Sequence, residues 1–232
     1  MKKKVLISLL FFFAVFSHTI ADDIPLYEIG KEGVALKDFT VGLIVDSSRK
    51  MDINEISAIR DVELTNSRFT ISSIFNNYWF VFKIKNSTSG KIKRIIGFDE
   101  VYPETADLYY QTDSIWYHEK GGLSQPMDLR EIENRCPVFY LSLNAGESKT
   151  VYLKLHSKFA LVLGVFLEDI PEFAKQEQIK IIGYWSYLGA ALAILLYNIF
   201  LLYQIRERVY LYYVIYAICF YWRIMQIVKI SV

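Results

Sequence analysis

Between Tyr78 and Asn86 the chain reads "YWFVFKIKN", with Phe80, Phe82 and Ile84 alternating against Val81, Lys83 and Lys85. A period of two with lysines on one side predicts a half-buried β-strand. The segment "STSGK" then supplies a turn, and "IKRIIGF" resumes the β rhythm. Two short aromatic runs, "ADLYYQ" and "SIWYHE", predict further strands, closed by Gly121 and Gly122. In "VFYLSL" one face carries Phe139, Leu141 and Leu143, and in "TVYLKLHS" one face carries Val151, Leu153 and Leu155. The polar connection "NAGESK" between them predicts a hairpin. "FALVLGVFLED" is apolar on both faces, which suits a central or sandwiched strand. Ahead of Tyr78, "FTVGLIV" fits an edge strand, and "DINEISAIRD" fits a short helix behind an Asp52 cap. Short strands without βαβ alternation predict a mainly β fold, a jelly roll or β-sandwich.

The rhythm changes after Pro171. "PEFAKQEQIK" is polar and leads into a stretch, Ile181 to Tyr203, that holds no charge. About 23 residues at ~1.5 Å each give roughly 34 Å, enough to cross a hydrocarbon core. Val209 to Val228 forms a second apolar run with the single charge Arg223. A mid-bilayer arginine costs ~2.5–3.5 kcal/mol, whereas each strongly apolar residue regains ~0.3–0.6, and Arg223 lies past the centre, where it can snorkel. Arg206, Glu207 and Arg208 between the runs predict a tight loop, placed on the cytoplasmic side by its arginines. Gly183, Gly189 and the alanines at 190, 191 and 193 either admit a neighbouring helix closely or simply suit lipid.

The amino terminus, "MKKKVLISLLFFFAVFSHTIADD", has three lysines, an apolar run from Val5 to Phe16 broken by Ser8, and Thr19 and Ala21 before an acidic pair. A run of about 12 residues is too short to span, so it predicts a secretory signal cleaved after Ala21. The expected organisation is a signal peptide over 1–21 and an extracytoplasmic β domain over 22–178. A transmembrane helix over 179–203, a cytoplasmic loop over 204–208 and a second transmembrane helix over 209–228 follow.

Composition agrees with this mixed plan. Of 232 residues 53% are hydrophobic and 22% charged, too apolar for an ordinary soluble domain and too charged for a purely intramembrane chain. The net charge of +1, with scattered lysines, argues against nucleic acid as a partner. Two cysteines, one of them in an apolar run, predict a domain that holds together without disulfide staples.

The ordered features resemble the bacterial seven-transmembrane receptors with diverse intracellular signalling modules, specifically their second type of extracellular domain followed by the start of the seven-helix region. The resemblance rests on "YWFVFKIKN", on "REIENRCPVFYLSLNAGESKTVYLKLHS", and on "GYWSYLGAALAILLYNIFLLYQIRERVYLYYVIYA" with its Tyr197–Asn198 pair. It implies a jelly roll similar to carbohydrate-binding modules, sensing a small ligand, a carbohydrate, at the bacterial inner membrane with the domain in the periplasm. It also implies a cytoplasmic output module. The later helices and that output are absent from this sequence, so the chain is expected to be truncated before them or to pair with another membrane protein. The alternative is a membrane-tethered module that binds an envelope protein.

Sugar recognition needs flat aromatic faces beside charged or amide groups. Trp116 and Tyr117 are the candidate platforms, and Arg130, Glu131 and Arg135 the candidate hydrogen-bonding groups. The structural alternative makes Trp116 a packing residue and the arginines surface ion-pair partners of Glu131 and Glu133. Tyr109 and Tyr110 face opposite ways on a strand, so at most one reaches a common site. Glu131 and Glu133 could share a strand face, as a glycosidase pair would. His118 and His156 lack metal-ligand spacing, and no nucleophile-elbow, zinc-protease or phosphate-loop motif occurs. No catalytic residue, metal or cofactor is therefore expected, and the chain is read as a non-enzyme. Asn86-Ser87-Thr88 is a formal glycosylation acceptor that reads here as a polar turn.

Overall fold

The computed structural model describes residues 24–30, 36–99 and 103–229, with backbone alone for 224–229. The expected signal peptide over 1–21 and its cleavage point lie outside the described residues. Two mainly antiparallel sheets pack face to face. The larger runs in the order β3 (Glu63–Asn66), β2 (Thr40–Asp46), β5 (Asn77–Asn86), β10 (Ser148–His156), β7 (Thr105–Thr112) and β8 (Ile115–Gly121). A short β1 (Leu26–Ile29) pairs in parallel with the second half of β5. The smaller sheet has the order β4 (Arg68–Ile71), β11 (Leu161–Asp169), β6 (Ile92–Phe98) and β9 (Val138–Leu143).

The period of two places Phe80, Phe82 and Ile84 of β5 between the sheets, together with Leu108, Phe98, Phe139, Leu141, Val151 and Leu153. Each is fully or almost fully buried. Such side chains contribute about 1.5–3 kcal/mol apiece on burial, and a fold without disulfides depends on them. The outer face of the large sheet carries a second cluster around Trp79, Val81 and Tyr152. It is covered by α1 (Ile53–Ala58), whose Asp52 and Glu55 form a reciprocal capping box, and Ile56 of that helix is buried.

Two expectations are corrected. β9 and β10 do not form a hairpin: β9 pairs with β6 and β10 with β5 and β7, so "NAGESK" crosses from one sheet to the other. Alternation is the same in both arrangements, since Leu141 and Leu153 point inward from opposite sheets rather than sharing one. The crossing is held by Asn86, which is fully buried and donates through its side-chain amide to the carbonyls of Gly90 (2.7 Å), Leu143 (3.2 Å) and Asn144 (2.8 Å). Its oxygen accepts from the Thr88 amide (2.9 Å) and hydroxyl (2.7 Å). The Asn86 triplet is thus a polar turn pinned by the buried Asn86 side chain. Nor is β2 an edge strand, because β3 pairs along its outer side.

α2 (Ile170–Ile205) starts where β11 stops and doubles back over the outer face of the smaller sheet. Phe173 stacks on Phe166 with ring centroids 6.0 Å apart, and further along Lys180 lines a cavity with Gly164 and Asp99. The helix therefore leaves the sandwich at the end where β11 begins, called here the exit end; the opposite end is the far end. Among the described residues α2 is the one helix long and apolar enough to cross a membrane. It continues without a break from the polar "PEFAKQEQIK" segment into the charge-free stretch. After Arg206, in a left-handed conformation (φ 57°), and Glu207, α3 (Arg208–Lys229) returns alongside α2. Leu188, Leu195 and Val214 are buried there, and a groove of ≈ 280 Å³ runs between Ala190 and Ala191 on one helix and Ala217 on the other. A Cβ built on Gly183 or Gly189 meets nothing within 4 Å, so neither glycine is required by the α2–α3 contact.

Candidate functional site

β7 and β8 meet through Asp113 and Ser114, both with positive φ (50° and 65°), the signature of a two-residue hairpin turn with right-handed strand twist. That turn fixes the register Tyr110↔Tyr117, and the two side chains lie on the inner face with rings stacked 4.6 Å apart at 24°. Their cover is incomplete at the far end, where Tyr117 stays 40% exposed. The Lys149 ammonium sits 4.6 Å from the Tyr110 ring centre, donates to the Ser142 carbonyl (2.9 Å) and pairs with Glu147 (3.3 Å). Tyr110, Tyr117, Ser142 and Lys149, with Trp116, Lys91, Thr112 and Asn144, line an open cleft of ≈ 480 Å³.

Two residues along β8 from Tyr117, on the same face, stands Glu119, which accepts from the Tyr117 hydroxyl (3.2 Å). Burial, and then the charge of neighbouring Glu131, push its carboxyl up to about 7. Burial and next the Glu119 charge raise both Tyr110 and Tyr117, keeping them neutral phenols. The cleft thus has a flat aromatic wall and a cation, and beside it an acid that changes charge near neutrality is hydrogen-bonded to Tyr117.

Glu131 is delivered by the strap from Gly122 to Pro137 that links β8 to β9. Its course starts at Gly121, where a Cβ would press on the Phe139 ring (2.9 Å), and at Gly122, whose φ of +88° favours glycine. Arg130 shapes the strap: its guanidinium donates to the carbonyls of Gly122 (2.6 Å), Gln125 (2.8 and 3.1 Å) and Asn134 (2.8 Å).

The five residues singled out by sequence are not one cluster. Tyr117 and Glu131 do meet around Glu119, beside the cleft. Trp116 shares the rim of the cleft with Tyr117, while its ring packs edge-on against Tyr152 (5.7 Å) and donates from its nitrogen to the Asn54 side chain (3.0 Å) on the other face. Arg130 is engaged by backbone carbonyls. Arg135 lies against α2, donating to the Tyr184 hydroxyl (3.1 Å) with its guanidinium over that ring. Tyr109 and Tyr110 indeed separate: Tyr109 stacks on His118 (4.2 Å, 8°) on the outer face. Sequence reasoning left Tyr110 as an alternative to Tyr109 and missed Glu119 and Lys149. The Asp113-Ser114 turn was the available signal, since a two-residue loop there pairs Tyr110 with Tyr117 and puts Glu119 on the same face.

Comparison with known proteins follows this geometry. The family model described as "7TMR-DISM extracellular 2" matches residues 40–169, more than half of the chain. No curated protein matches it. Among solved structures, a Bacillus thuringiensis Cry1Da tryptic core variant is similar at 10% identity and a TM-score of 0.30, over 62% of this chain and 24% of that one. The enzymatically active domain of bacteriophage CBA120 tailspike protein 4 is similar at 6% identity and 0.27, over 59% and 19%. A Podospora anserina GH26-CBM35 β-(1,4)-mannanase is similar at 10% identity and 0.27, over 59% and 27%. The chain spans about a quarter or less of the length of these proteins.

Proposed function

Because this chain belongs to the 7TMR-DISM extracellular 2 family, we propose that its β-sandwich is the extracytoplasmic sensor of a bacterial inner-membrane receptor and that its ligand is a small carbohydrate held in the far-end cleft. The observation that carries this reading is the stacked Tyr110–Tyr117 pair beside Glu119, Glu131 and Lys149. A pyranose ring offers an apolar C–H face to a flat aromatic and hydroxyls to carboxylate and ammonium groups. Glu119 and Glu131 lie against one another instead of flanking a space for a glycosidic bond, which favours binding over hydrolysis.

The strap supplies a route from site to membrane. Glu131 touches Glu119, Asn134 donates to Glu177 of α2 (3.1 Å), and Arg135 reaches Tyr184. A ligand that displaces Glu131 pulls on a segment fixed to α2 at two points. It shifts the helix only to the extent that it binds the displaced and resting arrangements differently. In this reading α2 spans the membrane and brings the Arg206–Arg208 turn to the cytoplasm, from which α3 returns alongside it.

The test is a glycan panel presented to the full chain in nanodiscs, with Tyr117→Ala as the comparison. Selective binding that the substitution abolishes supports the proposal. Uniformly flat binding, or retention in the variant, overturns it, and crosslinking to an envelope protein under those conditions would favour the tethered interaction module.

A further inference from the structure

The exit end presents apolar side chains that no described part of the fold covers. Ile74 is 39% exposed, Phe75 71%, Leu123 52%, Phe159 61% and Val162 54%. They come from three connections and the start of β11, and the register Ile71↔Leu161 sets the 74–75 turn beside the 159–162 segment. Hydrogen bonds tie these connections together. The Tyr78 hydroxyl donates to the Ser73 carbonyl (3.1 Å), His156 Nδ1 lies 3.3 Å from the Asn76 carbonyl, the Glu104 amide donates to the His156 carbonyl (2.9 Å), and the Leu123 amide donates to the Pro103 carbonyl (2.9 Å). The connections that carry the exposed side chains are thus tied to one another by hydrogen bonds, and large apolar side chains exposed together at one end of a domain mark an interaction site.

Its height relative to α2 identifies the partner. Phe173 of α2 stacks on Phe166 of β11 (6.0 Å), which sets the two elements level at that point. From Phe166 to Leu161 a strand advances about 17 Å, which the antiparallel α2 covers in about eleven residues, reaching Tyr184. Tyr184, Trp185 and Tyr187 form an aromatic group there, and from Trp185 to Tyr203 the helix rises about 27 Å, close to a hydrocarbon thickness. Tyrosine and tryptophan gather at the membrane–water boundary. The apolar tips thus sit at the height where α2 enters the bilayer. Cations accompany them: Arg49 and Lys50 in the turn after β2, and Lys158 beside Phe159, its ammonium paired with Glu104 (2.9 Å). Asp46 next to that turn is buried and accepts from the Ser48 hydroxyl (2.6 Å) and the Arg49 amide (2.8 Å), and Asp99 pairs with Arg68 (3.3 Å).

We propose that the exit end is a lipid-docking surface: Phe75 and Phe159 insert into the outer interface of the membrane that α2 crosses, with the cations facing lipid phosphates. Anchored at the helix and at the loop tips, the sandwich cannot tumble about a single hinge, so strap displacement is delivered to α2. This inference rests on the preceding reading that α2 spans the membrane.

The experiment uses the full chain with Cys136→Ser and Cys219→Ser, reconstituted in phosphatidylcholine–phosphatidylglycerol vesicles. One cysteine at a time is introduced for an environment-sensitive fluorophore, as Phe75→Cys, Phe159→Cys, Ile115→Cys at the far end, or Leu196→Cys in α2. Labels at 75 and 159 are expected to shift to the blue and lose emission to lipids with a shallow nitroxide, while the label at 115 does neither. If the label at 196 is quenched by deep nitroxides but those at 75 and 159 behave like 115, the docking surface is overturned and the spanning helix stands. If 196 also escapes quenching, both fall.

Discussion

The far end and the exit end of the sandwich are built by the same strands and differ in what their side chains still have to offer. Toward the far end, Tyr117 is a stacked ring with an open face, Glu119 beside it is a carboxyl near its titration point, and Lys149 is an ammonium lining the cleft. At the exit end the connections are tied together by backbone hydrogen bonds, while Phe75, Phe159 and Leu123 stay exposed. One end retains polar binding capacity and the other retains apolar area. That asymmetry gives the domain a direction before any ligand is present.

The sharpest way to break this comparison is to remove the group that closes the far end. Asn86→Ala leaves three carbonyls without its amide, and a loss of about 3 kcal/mol is expected. Urea denaturation followed by tryptophan fluorescence measures it, and a loss below about 1 kcal/mol means the sheet crossing does not depend on Asn86. Next in size is Arg130→Ala, which releases the strap from the carbonyls of Gly122, Gln125 and Asn134 and is expected to cost about 2 kcal/mol. Hydrogen exchange should quicken between Gly122 and Asn134 and remain unchanged in β5; uniform quickening would deny the strap a separate identity.

A smaller pair of substitutions separates the two faces of β8. Tyr117→Ala removes one ring of the stacked pair, worth about 1 kcal/mol, and should weaken ligand binding. Trp116→Phe gives up the bond to Asn54 but keeps an aromatic ring at the cleft rim, and should lower the melting temperature with binding retained. The reverse result would move the site to the α1 face. The smallest effect is a slope. Glu119 is raised from 4.5 to about 7 in the folded chain, so the folded state holds the extra proton between those values. The associated stabilisation is complete below the unfolded value and is lost as pH rises through about 7. Glu119→Gln should flatten the stability profile in that window; an unchanged slope assigns it to another group.

Much of this architecture was legible in the residues. The β5 pattern, the Asp52 cap, the central position of β11 and the apolar helix all follow from local spacing and capping chemistry. The site was legible only in part, because its residues come from β7, β8, β10 and the strap, and no local pattern reports which strands become neighbours. Arg130 illustrates the limit: its five donors suit a sugar as well as four carbonyl bonds, and only the path of the strap decides between them.

By itself the sequence determined which side chains of each strand turn inward and which helix is apolar enough for lipid, since both depend on periodicity and composition within one segment. The tertiary structure alone decided that β9 and β10 belong to opposite sheets, that Tyr110 and Glu119 join Tyr117, and that the apolar loop tips share the end from which α2 departs. The physical reason is that alternation is blind to partner: Leu141 and Leu153 bury equally well side by side or face to face, and long-range pairing across both sheets chose the second.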